Sequence, residues 1–71
     1  MNFQTMDYFV AVAEERSFTR AAERLNVTQQ TLSANIAHTE KELGTKLLDR
    51  SVPLTLTYAG EEFLKYARRF Q

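Results

Sequence analysis

The chain has 71 residues, 44% of them hydrophobic, and its nine Lys and Arg balance nine Asp and Glu. This length suits one small domain with a thin core, and the hydrophobic fraction excludes a disordered tail. The absence of cysteine excludes disulfides, thiolate metal sites and cysteine nucleophiles. No apolar run approaches the roughly 18 residues of a membrane span, and no signal peptide is visible, so a cytoplasmic location without a membrane partner is expected.

The neutral net charge is unusual for a nucleic-acid binder, which is expected to be basic. Net charge is a sum, however, whereas phosphates respond to local fields. The charge therefore leaves open whether Arg20, Lys46 and Arg50 share one face of the domain. The acids that would then have to lie elsewhere are Glu40, Glu42, Glu61 and Glu62.

The first predicted helix carries apolar residues at intervals of three and four, which is typical of one buried stripe. The residues of that stripe are Phe3, Met6, Phe9, Val10 and Ala13. A short second helix is predicted from about Phe18 to Leu25, with Ser17 as its N-cap and Asn26 as its stop. Its inner face carries Ala21, Ala22 and Leu25.

The third predicted helix begins after the N-cap Thr28 and ends before Gly44, which suits a left-handed C′ position. Its apolar stripe consists of Leu32, Ile36 and Leu43. Thr39 stands where a further apolar residue would complete the stripe, so we expect a looser core there.

The period then changes to the two-residue repeat of a strand, in which Leu54 and Leu56 alternate with threonines. Residues 47–50 are its expected partner, and residues 51–53 the turn. Because Pro53 cannot donate a ladder hydrogen bond, we expect a small, exposed hairpin.

A last helix is predicted after the N-cap Thr57, and its pattern still runs at Gln71, so we expect a longer protein. One side of this helix carries Ala59, Phe63, Ala67 and Phe70. That side needs a cover, which is either a partner helix across a two-fold axis or the chain's own core. Tyr66 suits both arrangements.

Two short helices with a tight connection, followed by a longer helix, describe a helix-turn-helix, and the hairpin makes it winged. The predicted fold class is therefore mainly α. It is a winged helix-turn-helix with a three-helix core, a small two-stranded β wing and the start of a linker helix.

The residue identities resemble the LysR-type transcriptional regulators over nearly the whole chain. Residues 17–25 (SFTRAAERL) resemble the second helix of that family, and residues 28–33 (TQQTLS) resemble the start of its recognition helix. Residues 40–50 resemble the close of the recognition helix and the first wing strand. Residues 56–60 (LTYAG) are similar to the entry of the linker helix.

The sequence also departs from the family pattern. Gln30 stands where Pro or Ser is usual, Thr39 replaces an apolar residue, and Leu48 replaces Phe. The wing is slightly shorter than usual, and the second wing arginine of the family has no match between Arg50 and Leu54. We therefore expect differences at the helix entry and in the reach of the wing.

The resemblance implies a DNA-binding domain at residues 1–57 and the start of a linker and dimerisation helix at residues 58–71. It implies a sequence-specific regulator of transcription that binds double-stranded DNA as a dimer, with the recognition helix in the major groove and the wing at the flanking backbone or minor groove. A large C-terminal domain that binds a small-molecule effector, and higher oligomers of the full-length protein, are also implied. No cofactor is expected in this domain.

Short polar side chains at the leading end of the third helix are candidates for reading base edges, because the major groove presents a distinct donor and acceptor pattern for each base pair. These candidates are Gln29, Gln30, Thr31 and Ser33. The alternative is that they form the ordinary polar first turn of a surface helix.

Hydroxyl, amide and guanidinium donors near the helix starts and the wing are candidates for contacts with phosphates. They are Ser17, Thr19, Arg20, Thr28, Asn35 and Arg50. Asn35 also suits a base contact, and a surface ion pair with Asp49 or another acid is the alternative for Arg50. His38 is expected to be solvated. The candidates for dimerisation are Phe63, Tyr66, Ala67 and Phe70.

An enzyme is not expected, because the chain has no cysteine, no glycine-rich phosphate loop and no nucleophile elbow. The alternative function is a helix-turn-helix module that binds another protein, which the neutral charge would suit. A steep salt dependence of binding separates the two, because phosphates release counterions when a protein neutralises them.

Overall fold

Four helices and one two-stranded antiparallel sheet make up residues 2–71, the part of the chain that this computed structural model describes. In chain order they are α1 Phe3–Glu15, α2 Phe18–Leu25, α3 Gln29–Leu43, β1 Leu48–Asp49, β2 Thr55–Leu56 and α4 Tyr58–Arg68. The predicted winged helix-turn-helix is confirmed. Within residues 2–71, none of the helices has the length and apolar character to cross a membrane.

Side-chain caps define where the helices begin. The oxygen of each cap accepts a backbone N–H three residues later, and the caps are Asn2, Ser17, Thr28 and Thr57. The three predicted from the sequence are confirmed. The helices α2 and α3 end at Asn26 and Gly44, whose φ angles of 59° and 71° lie in the left-handed region that these residue types tolerate.

The core is built around α1, which packs against α2, α3 and α4. Phe9 is fully buried and meets the ring of Phe63 edge to face, with 5.1 Å between the ring centroids. The other helices contribute Ala21, Ala22, Leu32, Ile36 and Ala67.

Three positions predicted to belong to apolar stripes lie outside the core. Phe3, Leu43 and Phe70 are 65%, 42% and 47% exposed. The physical reason is their place at helix ends, since Phe3 opens α1, Leu43 closes α3 and Phe70 follows α4.

The polar interruption of the α3 stripe is accommodated without a loss of burial. Thr39 is only 1% exposed. Its hydroxyl donates to the carbonyl oxygen of Asn35 at 3.0 Å, one turn earlier in the helix. The expected loosening is therefore not observed, because the buried hydroxyl has a partner.

The wing is shorter than the sequence predicts. Leu48 pairs with Leu56 and Asp49 with Thr55, so each strand has two residues instead of the predicted four. Thr57 directly follows β2 and is the cap of α4. The Thr57 N–H donates to the Leu47 carbonyl at 3.0 Å, and its hydroxyl donates to the Lys46 carbonyl at 2.7 Å.

Gly60 lets α4 approach the start of the wing. It is buried, and a Cβ at this position would overlap the Leu47 carbonyl oxygen. The first turn of α4 therefore docks directly on the backbone that precedes β1.

We expect Gly60→Ala to destabilise the domain by about 1–3 kcal/mol, because α4 or the Leu47 backbone has to move. Thermal unfolding followed by circular dichroism measures this change. Glu61→Ala, at an exposed neighbouring position, is the control and is expected to change stability by no more than about 0.5 kcal/mol. Alanine normally stabilises a helix relative to glycine, so a higher melting temperature for Gly60→Ala contradicts the docking argument.

Candidate nucleic-acid interface

Two threonines form the hydrogen bonds that cap the N-terminal end of α3. The Thr28 hydroxyl oxygen accepts the Thr31 N–H at 3.1 Å, and the same hydroxyl donates to Thr31 Oγ1 at 2.9 Å. Thr28 is therefore the helix cap, as predicted, and Thr31 keeps its own hydroxyl hydrogen for another acceptor.

An open groove of about 660 Å³ lies along the outward side of α3. Its lining residues are Phe18, Gln29, Gln30, Ser33, Ala34 and Ala37. The structure thus brings together three of the four predicted base-reading residues, whereas Thr31 lies outside the lining.

Ala34 and Ala37 were missed as members of this surface. The signal was present in the sequence, because positions 30, 33, 34 and 37 share one helix face. The amides of the two glutamines can pair with base edges, and small methyl side chains permit close approach and contact with thymine methyl groups.

Arg50 leans from the wing onto α3. Its Nη1 donates to Ser33 Oγ at 2.6 Å, and its guanidinium carbon lies 4.8 Å from the centroid of the Phe18 ring. Within residues 2–71, Arg50 forms no ion pair with Asp49, whose carboxylate accepts the Ser51 N–H at 3.0 Å. Hydrogen bonds from Ser51 also hold the pKa of Asp49 below its ordinary value.

The predicted phosphate ligand Arg20 lies against an acidic residue. Its Nη2 donates to the Glu15 carbonyl at 2.8 Å, and its Nε is 3.7 Å from a Glu15 carboxylate oxygen. Most of the Arg20 side chain stays exposed. Ser17 accepts the Arg20 N–H as the cap of α2, and Thr19 is exposed in the first turn of that helix.

Glu14 pairs with arginines of two other helices. Its carboxylate lies 2.9 Å from Arg24 of α2 and 3.3 Å from Arg68 of α4. The Arg24 hydrogen bond, with a smaller contribution from Arg68, lowers the pKa of Glu14. These pairs reduce the positive field on the α1 side of α2.

The cations nearer to the wing are placed differently. Lys46 and Arg50 line one open concavity, and within residues 2–71 neither forms an ion pair with a carboxylate. They therefore share a face, whereas Arg20 lies against Glu15. Of the acids that had to lie elsewhere, Glu62 pairs with Lys65 on α4, whereas Glu40, although buried, lines the same concavity as Lys46 and Arg50.

Glu40 is a structural residue that the sequence reading missed. The residue is 5% exposed, and its Oε2 accepts the N–H groups of Leu47 at 2.8 Å and Leu48 at 3.2 Å. The available signal was its position four residues after Ile36, on the apolar stripe of α3, where a carboxylate needs buried donors. This contact fixes the wing relative to α3.

Asn35 and His38 occupy the opposite flank of α3 from the wing. Asn35 is half-buried and does not line the groove, and within the described residues its Oδ1 is buried without a hydrogen-bond partner. The His38 side chain is 72% exposed and lies 3.9 Å from Glu42, as expected for a solvated residue.

The four dimerisation candidates divide into two pairs. Phe63 and Ala67 are 8% and 0% exposed, so their assignment to a dimer surface is corrected: they face the core of their own domain. Tyr66 and Phe70 remain exposed, with 5.0 Å between their ring centroids. Phe3 extends this aromatic surface, 6.1 Å from Phe70.

A helix-turn-helix with an outward groove on its third helix, an adjoining hairpin and nearby cations defines the winged helix class of domain. Residues 3–61 match the family model described as "Bacterial regulatory helix-turn-helix protein, lysR family". The chain belongs to the LysR family.

Relatives of known name agree with this assignment. The chain is 48% identical over 69 residues to the HTH-type transcriptional regulator AlsR of Bacillus subtilis (strain 168), covering 96% of the chain and 23% of AlsR. It is 47% identical over 68 residues to the regulator BenM of Acinetobacter baylyi (strain ATCC 33305 / BD413 / ADP1), covering 94% of the chain and 22% of BenM. The chain thus spans less than a quarter of the length of these relatives.

The fold is similar to a solved complex with DNA. The crystal structure of the BenM DNA-binding domain with benA site 1 DNA has a TM-score of 0.94 and 45% sequence identity, covering 99% of this chain and 80% of that chain. The likeness includes the wing, because nearly the whole chain is covered.

We expect Glu40→Ala to destabilise the domain by about 2–4 kcal/mol, because the two buried N–H groups of Leu47 and Leu48 lose their acceptor. Urea unfolding followed by circular dichroism measures the loss. Glu23→Ala removes a carboxylate from an exposed position and is the control, with an expected change below about 0.5 kcal/mol. Equal stability of the two variants would show that the Glu40 contact contributes nothing.

Proposed function

We propose that this chain is the DNA-binding domain of a LysR-type transcriptional regulator, and that α3 enters the major groove of double-stranded DNA. The observation that carries the proposal is the groove on α3, where Gln29, Gln30 and Ser33 face outward while Leu32 and Ile36 anchor the helix in the core. The similarity to a regulator domain crystallised on DNA supports it. The protein-interaction alternative has no support from the matched relatives.

Base reading is the proposed role of the groove. A glutamine amide donates to and accepts from the edge of an adenine, and such a pair contributes about 1–3 kcal/mol of discrimination. We propose Gln29, Gln30, Thr31 and Ser33 as the residues that contact bases. A rigid helix favours this role, because the amides need a fixed register along the groove.

Contacts with the DNA backbone set that register. Helix N-termini attract anions, so Thr28 at the start of α3, and Ser17 and Thr19 at the start of α2, are proposed to contact phosphates. Arg20 stays in this group because most of its side chain is accessible. Arg50 also stays in it, and Asn35 remains a proposed contact from the flank of α3.

The whole protein is proposed to carry more than this domain. We propose residues 1–57 as the DNA-binding unit and residues 58–71 as the start of a helix through which two copies pair. A C-terminal domain with a small-molecule effector would then turn the regulator on or off, in a bacterial cytoplasm, as a homodimer or a higher oligomer. We propose no catalytic role, because the family model is that of regulatory proteins.

Gln29→Ala tests the base-reading role. Selection of bound duplexes from random DNA is expected to give a defined site for the unsubstituted chain, and Gln29→Ala is expected to relax the preference at one position per half-site by about ten-fold. Glu61→Ala, on the exposed side of α4, is expected to leave the site unchanged. A uniform loss of affinity for all sequences on Gln29→Ala would contradict base reading.

The salt dependence of the same binding tests the class of partner. Affinity for the selected duplex is expected to fall steeply between low and physiological salt, because neutralised phosphates release counterions. A chain that binds no duplex even in dilute buffer is not a DNA-binding domain.

Substitutions in the exposed aromatic surface of α4 test whether two copies of the chain pair through this surface. We expect Phe70→Ser to weaken self-association of the chain at least ten-fold in sedimentation equilibrium, because it removes a large apolar contact. Tyr58→Ser is the matched control, since Tyr58 is an 82% exposed aromatic residue at the other end of α4. Equal dissociation constants for both variants would place the pairing surface elsewhere.

A further inference from the structure

Besides the Glu40 carboxylate, which accepts two N–H groups at the start of the wing, a second side-chain contact joins α3 to the wing. Arg50 Nη1 donates to Ser33 Oγ at 2.6 Å, and Arg50 Nη2 approaches the Ser33 carbonyl oxygen at 3.4 Å. Ser33 also lines the groove on α3. One of the four predicted base readers is thus engaged by a cation before DNA is present.

This contact determines which hydrogen-bond donors of Ser33 and Arg50 are still available to a ligand. The Ser33 hydroxyl oxygen accepts from a guanidinium, so its own hydrogen points away from Arg50, and the adjacent positive charge makes it a better donor. A guanidinium has five N–H donors and no acceptor, and most of them stay free. The pair therefore presents several donors and one positive charge, which suits an anion with more than one oxygen.

The charge of Arg50 is held in place without being neutralised. Within residues 2–71, no carboxylate forms an ion pair with it, and the neighbouring Asp49 carboxylate is engaged by the Ser51 N–H. The Phe18 ring lies under the guanidinium at 4.8 Å, a contact that orients a cation and leaves its charge intact. Arg20, by contrast, lies against Glu15.

We propose that Ser33 and Arg50 bind one phosphate diester of the DNA backbone as a single composite site, with Phe18 as the residue that positions Arg50. The inference rests on the proposed function and deepens it. It moves Ser33 from reading bases to holding the backbone, and it assigns Arg50 to a phosphate beside the major groove and not to the minor groove.

A methylphosphonate scan of the selected duplex tests the site directly, because each substitution removes the charge of one phosphate and leaves the bases unchanged. For the unsubstituted chain, we expect one position per half-site at which the neutral linkage lowers the affinity for DNA roughly ten-fold. In the Ser33→Ala and Arg50→Ala variants, we expect the neutral linkage at that position to cause no loss of affinity. On unmodified DNA, the double variant is expected to bind no more weakly than Arg50→Ala, because the two residues act together.

Further variants separate charge from geometry. Arg50→Lys keeps the positive charge but loses the planar guanidinium. The loss of affinity that the neutral linkage causes at this position is therefore expected to lie between those of the unsubstituted chain and Arg50→Ala. Phe18→Leu is expected to reduce the loss of affinity at the neutral linkage, whereas Phe18→Tyr is expected to retain it, because only an aromatic face orients the guanidinium. Lys65→Ala removes a cation from α4 and is the control for charge alone. Circular dichroism verifies that each variant is folded.

Three results would overturn the inference. The first is a change of base preference on Ser33→Ala without an effect at any neutral linkage, which would return Ser33 to base reading. The second is an unaltered linkage profile in both single variants, which would reduce the contact to a structural tie. The third is the absence of duplex binding by the unsubstituted chain, which removes the proposed function as well, whereas the first two leave it standing.

Discussion

The buried carboxylate of Glu40 is the contact on which the geometry of the interface depends. A carboxylate removed from water is unfavourable unless donors surround it, and here the N–H groups of Leu47 and Leu48 supply them. The donors belong to the segment that opens the wing, so α3 and the hairpin cannot move apart without leaving polar groups unpaired. The position of Arg50 against Ser33 follows from that constraint.

The distribution of charge over this domain depends on which acids and bases pair, and not on how many of each the chain carries. The chain carries as many acids as bases, yet Glu14 and Glu15 near the end of α1 are engaged by arginines of α2 and α4. Burial withdraws Glu40 from the surface. Lys46 and Arg50 are left beside the wing without ion pairs within residues 2–71, in a concavity whose lining also includes Glu40 and Asp49.

The last helix contributes both to the core and to an exposed aromatic surface because the domain is small. A chain of this length has a thin core, and α4 completes it with Phe63 packed edge to face on Phe9. Tyr66, one turn after Phe63, and Phe70, which follows the helix, remain exposed beside Phe3. An amphipathic pattern alone could not separate these roles, since all of these residues recur at helical spacing.

Local chemistry in the sequence determined the helix starts, because the caps at Ser17, Thr28 and Thr57 act on N–H groups only three residues away. The periodicity likewise determined the class of fold and one polar face of α3. The tertiary structure alone decided the partner of Arg50, 17 residues from Ser33 along the chain, and the burial of Glu40. Such contacts join different elements, and they exist only once packing has fixed the distance and direction between those elements.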